Sequence, residues 1–221
     1  MMMQEITIPL FPLGLVLMPQ LLLPLHIFEE RYKLMISECL NEHKEFGIVF
    51  FNGSEICNIG CTARILRVLK RYDDGRMDIG TKGDKRFIIH ELNEEEPYLQ
   101  ARVEYFDDVI EPQKDELRSL AQKGISLLKQ LDKLSHNQDT YRDVDIGDLK
   151  SISFLIAGSE GFTYEEKQKF LEMTSTYQRL SKAVASLENL IQRMKLTAKI
   201  KKIIEGNGQI LESLEDQHTV H

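Results

Sequence analysis

The chain has 221 residues, 42% hydrophobic and 29% charged, a composition that supplies a core and excludes wholesale disorder. Its formal net charge of -7 at pH 7 counts against a nucleic-acid-binding surface of the usual basic kind, although a local patch can hide within it. No basic residue precedes the apolar amino-terminal run, so a secretory signal is not expected. Three cysteines, Cys39, Cys57 and Cys61, make no disulfide framework, and cytoplasmic residence is the simplest reading.

Residues 6–28 carry no Asp, Glu, Lys or Arg, a length that would span a bilayer as a helix. Pro9, Pro12, Pro19 and Pro24 forbid that helix, because each removes a backbone donor and pushes its predecessor to extended geometry. The run therefore reads as extended pieces, Ile6-Thr7-Ile8 and residues 14–18, followed by a loop. After Pro24 the pattern turns helical: Phe28, Tyr32, Met35, Ile36, Cys39 and Leu40 fall on one face, and Glu29 and Glu30 suit the first turn. This helix should end near residues 41–43. Residues 46–51 read as a buried strand stopped by Asn52-Gly53. Residues 60–69 form the next strand, with Arg64 and Arg67 reaching solvent at bulged or twisted ends. Asp73-Asp74-Gly75-Arg76 is a hairpin turn, since Asp-Gly tolerates positive φ. Residues 77–81 alternate, Lys82-Gly83-Asp84 reads as a second turn, and strands follow over residues 86–90 and 98–106. Short strands with one early helix predict a small mixed barrel.

Beyond Pro112 the texture is helical. Residues 115–134 carry a leucine stripe with Gly124 as a weak point. Residues 135–143 read as an exposed polar loop, and residues 146–157 as a short helix ending at Gly158. Thr163 and Glu166 form a capping box. In the last helix Leu180, Val184, Leu187, Ile191, Met194 and Ala198 repeat at alternating four and three, which suits packing inside a bundle and leaves a dimer seam open. Gly206-Asn207-Gly208 is expected to terminate it. Residues 1–111 carry net negative charge and residues 163–205 net positive charge.

Pro9-Leu10-Phe11-Pro12-Leu13, Leu23-Pro24-Leu25-His26-Ile27-Phe28-Glu29 and Arg31-Tyr32 together resemble the amino-terminal substrate-binding domain of the ATP-dependent protease Lon. Phe46-Gly47-Ile48-Val49, residues 59–65, Asp74-Gly75-Arg76, Gly83 with Arg86-Phe87, and Pro97-Tyr98-Leu99 follow that domain's order. Residues 167–172 and Arg179-Leu180 are similar to the helical segment after its barrel, so the resemblance covers about residues 5–205. Cys61 stands where the family reads Gly-Thr directly, which leaves the local turn open. The resemblance implies an α+β fold: a small β-barrel of the pseudouridine-synthase-and-archaeosine-transglycosylase (PUA-like) type with an early helix, then an α-helical bundle with a long carboxy-terminal helix. The expected division is a barrel at 1–111, a bundle at 112–206 and a flexible tail at 207–221. The signature residues are Pro24, His26, Phe28, Glu29, Arg31, Tyr32, Gly75, Arg86 and Phe87, for which structural roles are expected.

A search for chemistry yields little. Gly-Lys-Ser/Thr never occurs, so no phosphate loop exists, and no segment is long enough for Lon's Ser-Lys peptidase domain. Cys57 and Cys61 lack two further zinc ligands. His26, Glu29 and Arg31 form a polar cluster. A catalytic reading makes His26 a base oriented by Glu29. The structural reading has Glu29 and Arg31 bracing the loop-to-helix junction while His26 bonds backbone, and it is preferred because no nucleophile is near in sequence. Residues 94–96 and Asp107-Asp108 read as solvated acidic loops. The expectation is a non-enzymatic module without cofactor or metal. It would recognise unfolded or degron-bearing polypeptides as an adaptor or holdase, with a protease or chaperone as partner and neither nucleic acid nor membrane. A homo-oligomer through the last helix stays open. The alternatives are an RNA-binding PUA-like protein and a small-molecule or catalytic site at the barrel–bundle cleft. Extended peptides could add to strand edges. The Leu and Met residues of 10–23 could supply contact surface, although filling the barrel is their usual fate.

Overall fold

The computed structural model describes residues 6–112, 114–135, 141 and 144–215, with backbone alone at 114, 202 and 205–215. The predicted loop over 135–143 lies largely outside the described residues. The first strand, β1 (Ile6–Leu13), holds two prolines because it changes neighbours midway. Its first half, including Pro9, pairs antiparallel with β6 (Gln100–Phe106), and its second half, including Pro12, pairs parallel with β3 (Phe46–Phe51). Each half thus has one neighbour, and a missing N–H can face the unpaired side. β4 (Ile56–Arg71) and β5 (Met77–Asn93) are the long strands. The sheet order is β2-β5-β4-β3-β1-β6, and an additional β5–β6 pairing closes five of the strands into a ring. β2 (Leu22–Ile27) lies outside that ring and, among the described residues, pairs with β5 alone.

Phe87 fills the ring interior with Ile8, Leu10, Val49, Ala101 and Val103. Gly47 and Gly60 make room for its ring: a Cβ at either position would sit 2.7 or 2.5 Å from Phe87 Cζ. The β4–β5 connection is the expected hairpin turn, with Gly75 at φ 82 and the Tyr72 N–H bonded to the Arg76 carbonyl at 2.9 Å. Asn52-Gly53 is a turn as well, its Asn52 Oδ1 accepting from the Ser54 and Glu55 N–H groups.

The structure corrects several expectations. Residues 14–18 are loop, and the second strand is Leu22–Ile27, because an outer strand tolerates Pro24. Lys82-Gly83-Asp84 is no turn: β5 passes through it unbroken. Glycine is needed there because the chain at Met18 to Leu21 presses on β5. A Gly83 Cβ would lie 2.2 Å from the Met18 carbonyl oxygen, and Gly83 bonds to Gln20 and Leu21 through its own backbone. The first helix, α1 (Glu30–Glu42), buries Tyr32, Met35, Ile36 and Cys39 as the periodicity requires. Phe28 is not on that stripe. It precedes the cap residue Glu29, whose φ of -75 and ψ of 137 are extended, so helical phase does not reach it. Of the Leu and Met residues in 10–23, Leu10, Leu17 and Met18 are buried, whereas Leu22 stands in solvent.

Among the described residues four helices follow: α2 (Lys114–Leu134), α3 (Leu149–Ala157), α4 (Tyr164–Glu172) and α5 (Thr176–Glu215). The capping box at Thr163 and Glu166 forms as read. α3 starts three residues later than expected because Asp148 caps it, accepting from the Lys150 and Ser151 N–H groups. Gly124 is a packing site instead of a weak point: its missing Cβ would meet Ile156 Cδ1 at 2.4 Å, so α2 and α3 approach closely there. Leu180, Ala183, Val184, Leu187 and Ile191 of α5 are buried in the bundle. The helix continues through Gly206-Asn207-Gly208 to Glu215. Glycine in a helix costs about 1 kcal/mol and does not remove a hydrogen bond.

One apolar cluster runs from the barrel into the helices, joining Leu17, Met18 and Ile79 to Phe154, Leu180 and Val184. A buried ionic knot sits in the same seam. Asp108 accepts from Arg86 Nη2 at 2.5 Å, from Thr176 Oγ1 at 2.5 Å and from both Nη atoms of Arg179. Arg86 Nη1 donates to the carbonyls of Leu171 and Met173, and Arg179 Nε to Ser153 Oγ at 3.0 Å. The Phe154 ring lies under the Arg179 guanidinium at 3.8 Å. Burial pulls Arg179 down to about 10 against the opposing pull of Asp108. Asp107 is solvent-facing as expected, but Asp108 is buried. Its partners come from β5 and α5, which no local acidic pattern reveals.

Candidate functional site

β2, β5 and the second half of β4 form a three-stranded sheet whose inner face is core and whose outer face is open. Side chains alternate, so Met77, Ile79 and Thr81 of β5 point inward and Asp78, Gly80 and Lys82 outward. Cross-strand register then fixes three outer rows: Leu22–Lys82–Arg64, Pro24–Gly80–Arg67 and His26–Asp78–Lys70. Two β-bulges in β4 fall between Ile65 and Arg67 and between Val68 and Lys70. The extra residues are Leu66 and Leu69, each 49% exposed. Bulges of this kind re-aim side chains, and here they put two leucines in water one strand across β5 from Leu22, 71% exposed. Gly80 leaves the middle of the face without a side chain. A Cβ there would have Leu69 Cδ2 and Arg67 Cγ at 3.9 Å and nothing nearer.

An aromatic end closes the face. His26 Nδ1 lies 2.6 Å from Asp78 Oδ1, and Tyr72 Oη donates to Asp78 Oδ2 at 2.9 Å. These bonds, His26 first, hold the Asp78 carboxyl below its usual range. Phe28, 59% exposed, stacks on His26 with centroids 5.9 Å apart, and Lys70 and Arg76 lie over the Tyr72 ring. His26 therefore pairs with a side chain on β5, not with backbone and not with Glu29. Its ring neighbours are Phe28 and Tyr72, and neither is a nucleophile of the serine or cysteine kind.

The nine signature residues separate into three places. Pro24, His26 and Phe28 are on the outer face. Glu29, Arg31, Tyr32 and Gly75 secure the start of α1. Arg31 Nε donates to Glu29 Oε2 at 3.0 Å, Tyr32 stacks on Phe11 at 4.0 Å, and Lys33 Nζ bonds the Asp74 carbonyl beside Gly75. Arg86 and Phe87 are interior. Sequence reasoning missed Leu66, Leu69 and Gly80. The available signal was the repeat Arg64, Arg67, Lys70 at every third residue, which a regular strand cannot place on one face and which therefore demands bulges.

A cleft of about 630 Å³ opens at the barrel–bundle seam, lined by Lys85, Arg86, Asp107, Lys150 and Phe154 among others. Two ion pairs engage its charges, Lys150 with Asp107 at 2.5 Å and Arg86 with Asp108, and Lys85 lies over the Tyr105 ring. The thiols are poor nucleophiles: burial pushes Cys39 up to about 11, with Glu38 and Glu42 adding to it, and raises Cys57 and Cys61 as well. Among the described residues no three His, Cys, Asp or Glu side chains gather as a metal site, and no helix is long and apolar enough to cross a membrane.

Comparison with known proteins gives a consistent picture. The family model of the ATP-dependent protease La (LON) substrate-binding domain matches residues 7–189. Curated relatives include a Lon protease of Anaeromyxobacter dehalogenans, 27% identical over 90% of this chain, and one of Flavobacterium johnsoniae, 28% identical over 86%. The chain spans about a quarter of the length of these relatives, 25% of each. Among solved structures, a Lon N-terminal domain protein from Xanthomonas campestris superposes with a TM-score of 0.62 at 19% identity, covering 81% of this chain and 98% of that one. The N-terminal domain of a Mycobacterium avium complex Lon protease gives 0.64 at 15% identity, covering 82% and 98%.

Proposed function

Because this chain belongs to the Lon substrate-binding domain family, we propose that it recognises protein substrates by holding extended, apolar polypeptide segments on the outer face of β2, β5 and β4. The observation that carries this reading is the pair of bulges that turns Leu66 and Leu69 outward beside the bare Gly80. A segment laid across Gly80 reaches Leu69 on one side and Pro24 and Leu22 on the other. The face, not its edges, is the gripping element. Pro24 removes a donor from the outer strand, and bulges with Arg64, Arg67 and Lys70 interrupt the free flank of β4, both of which blunt strand addition. Binding alone is required of such a module, so the role is that of an adaptor or holdase for unfolded or degron-bearing chains, delivering them to a protease.

The test is the double variant Leu66→Glu, Leu69→Glu. Each leucine newly buried by a client contributes about 1–2 kcal/mol, so affinity for a labelled, permanently unfolded polypeptide should fall about ten-fold or more by fluorescence anisotropy. Thermal stability should hardly change, since both side chains already stand in solvent. Unchanged affinity in the folded double variant overturns the reading.

A further inference from the structure

The outer face carries charge that folding leaves unanswered. Arg64 and Lys82 stand directly opposite one another on β4 and β5, and like charges in that relation are destabilising. Arg67 faces Gly80, which offers no side chain. Among the described residues no hydrogen bond or ion pair engages Arg64, Arg67 or Lys82. Lys70 extends the row over Tyr72, and the one acid on these rows, Asp78, is occupied by His26 and Tyr72. A cationic stripe thus runs beside the exposed leucines in a chain whose formal net charge is -7.

We propose, resting on the polypeptide-binding reading above, that the preferred client segments carry acidic side chains next to their apolar ones. Leu22, Leu66, Leu69 and Phe28 receive the apolar positions, and Arg64, Arg67 and Lys82 receive the carboxylates. The repulsion between Arg64 and Lys82 is relieved when a carboxylate lies between them, so the face is electrostatically incomplete until a client is bound. Polypeptide is favoured over nucleic acid because the cations are interleaved with four exposed apolar side chains, Leu22, Phe28, Leu66 and Leu69. Leucine has nothing to offer a phosphate backbone, and the aromatic rings cluster at one end of the face without spacing along it.

The experiment uses labelled twelve-residue peptides with identical leucine positions and either Asp/Glu or Asn/Gln between them. Each is titrated by anisotropy against the wild-type chain, the variant Arg64→Gln, Arg67→Gln, Lys82→Gln, and the leucine double variant. At low salt the acidic peptide should bind about ten-fold more tightly than the neutral one, with the gap closing at high salt. The triple variant should lose the gap and keep the neutral peptide's affinity. Equal binding of the two peptides to wild type overturns this inference and leaves the outer-face reading standing. Insensitivity of both peptides to the leucine double variant overturns the outer-face reading itself. Displacement of the acidic peptide by a single-stranded oligoribonucleotide of equal charge at lower concentration overturns the inference in favour of nucleic acid. Melting curves of every variant confirm that folded proteins are compared.

Discussion

Glu45 is a half-buried carboxyl hydrogen-bonded to Thr62 and Asp84, and burial first, then the Asp84 carboxyl, pushes its pKa up. A carboxyl whose folded pKa lies above its unfolded value contributes stability below the unfolded pKa, about 4.3, and loses it as pH rises through the folded value. At neutral pH the ionised group sits where its charged form is disfavoured. Glu45→Gln keeps the shape and the hydrogen bonds, so it should raise the melting temperature at pH 7 and lose that advantage near pH 4. A scan showing equal gains at both pH values would remove the titration argument. Nothing in the local sequence marks Glu45, because its partners Thr62 and Asp84 lie on other strands. Phe28 and Asp108 were misplaced for related reasons. The apolar spacing that suggests a helix begins at Phe28, two residues before α1 does, and two adjacent aspartates look alike until tertiary partners choose between them.

At the level of the element, β5 shows what alternation does and does not reveal. Residues 77–81 declare their inward and outward sides in the sequence, and so do the helix stripes and the Thr163 capping box. Gly83 does not, because a glycine followed by aspartate reads as a turn equally well. Its reason is the close passage of the Met18 carbonyl, 2.2 Å from the position a Cβ would take. Gly83→Ala should therefore cost about 1–3 kcal/mol, as overpacking against rigid backbone does. Gly80, three residues away on the same strand, has only 3.9 Å contacts around its Cβ position, and Gly80→Ala should stay within about 0.5 kcal/mol of wild type. Urea denaturation of the two variants side by side measures the contrast. Comparable losses at both sites would show that strand glycine itself, not the Met18 contact, sets the cost. The two bulges of β4 belong to this level too. They were legible in part, as the charge repeat at every third residue, but the exposure of Leu66 and Leu69 that follows from them was not.

For the whole molecule, the order of barrel and helices could be read from the change in periodicity near Pro112, whereas the way they join could not. The joint is long-range: Gly158 at the end of α3 would place a Cβ 2.3 Å from Leu21 Cδ1, and Asp108 draws Arg86 from β5 and Arg179 from α5 to one carboxylate. Replacing Asp108 with Asn leaves two buried guanidinium groups facing one neutral amide. Removing one partner of a buried ionic set costs about 3–5 kcal/mol, far more than loss of an exposed pair. The larger apolar cluster, which runs through the same seam, contains residues from both sides, so unfolding of either side opens that shared core and leaves the barrel only the small cluster around Phe87. Asp108→Asn should accordingly shift a single cooperative transition to lower urea, with near- and far-ultraviolet circular dichroism still coincident. Two separated transitions, in the variant or in the wild-type chain, would mean that the barrel stands without its helices, and the knot around Asp108 would then be a hinge instead of a lock.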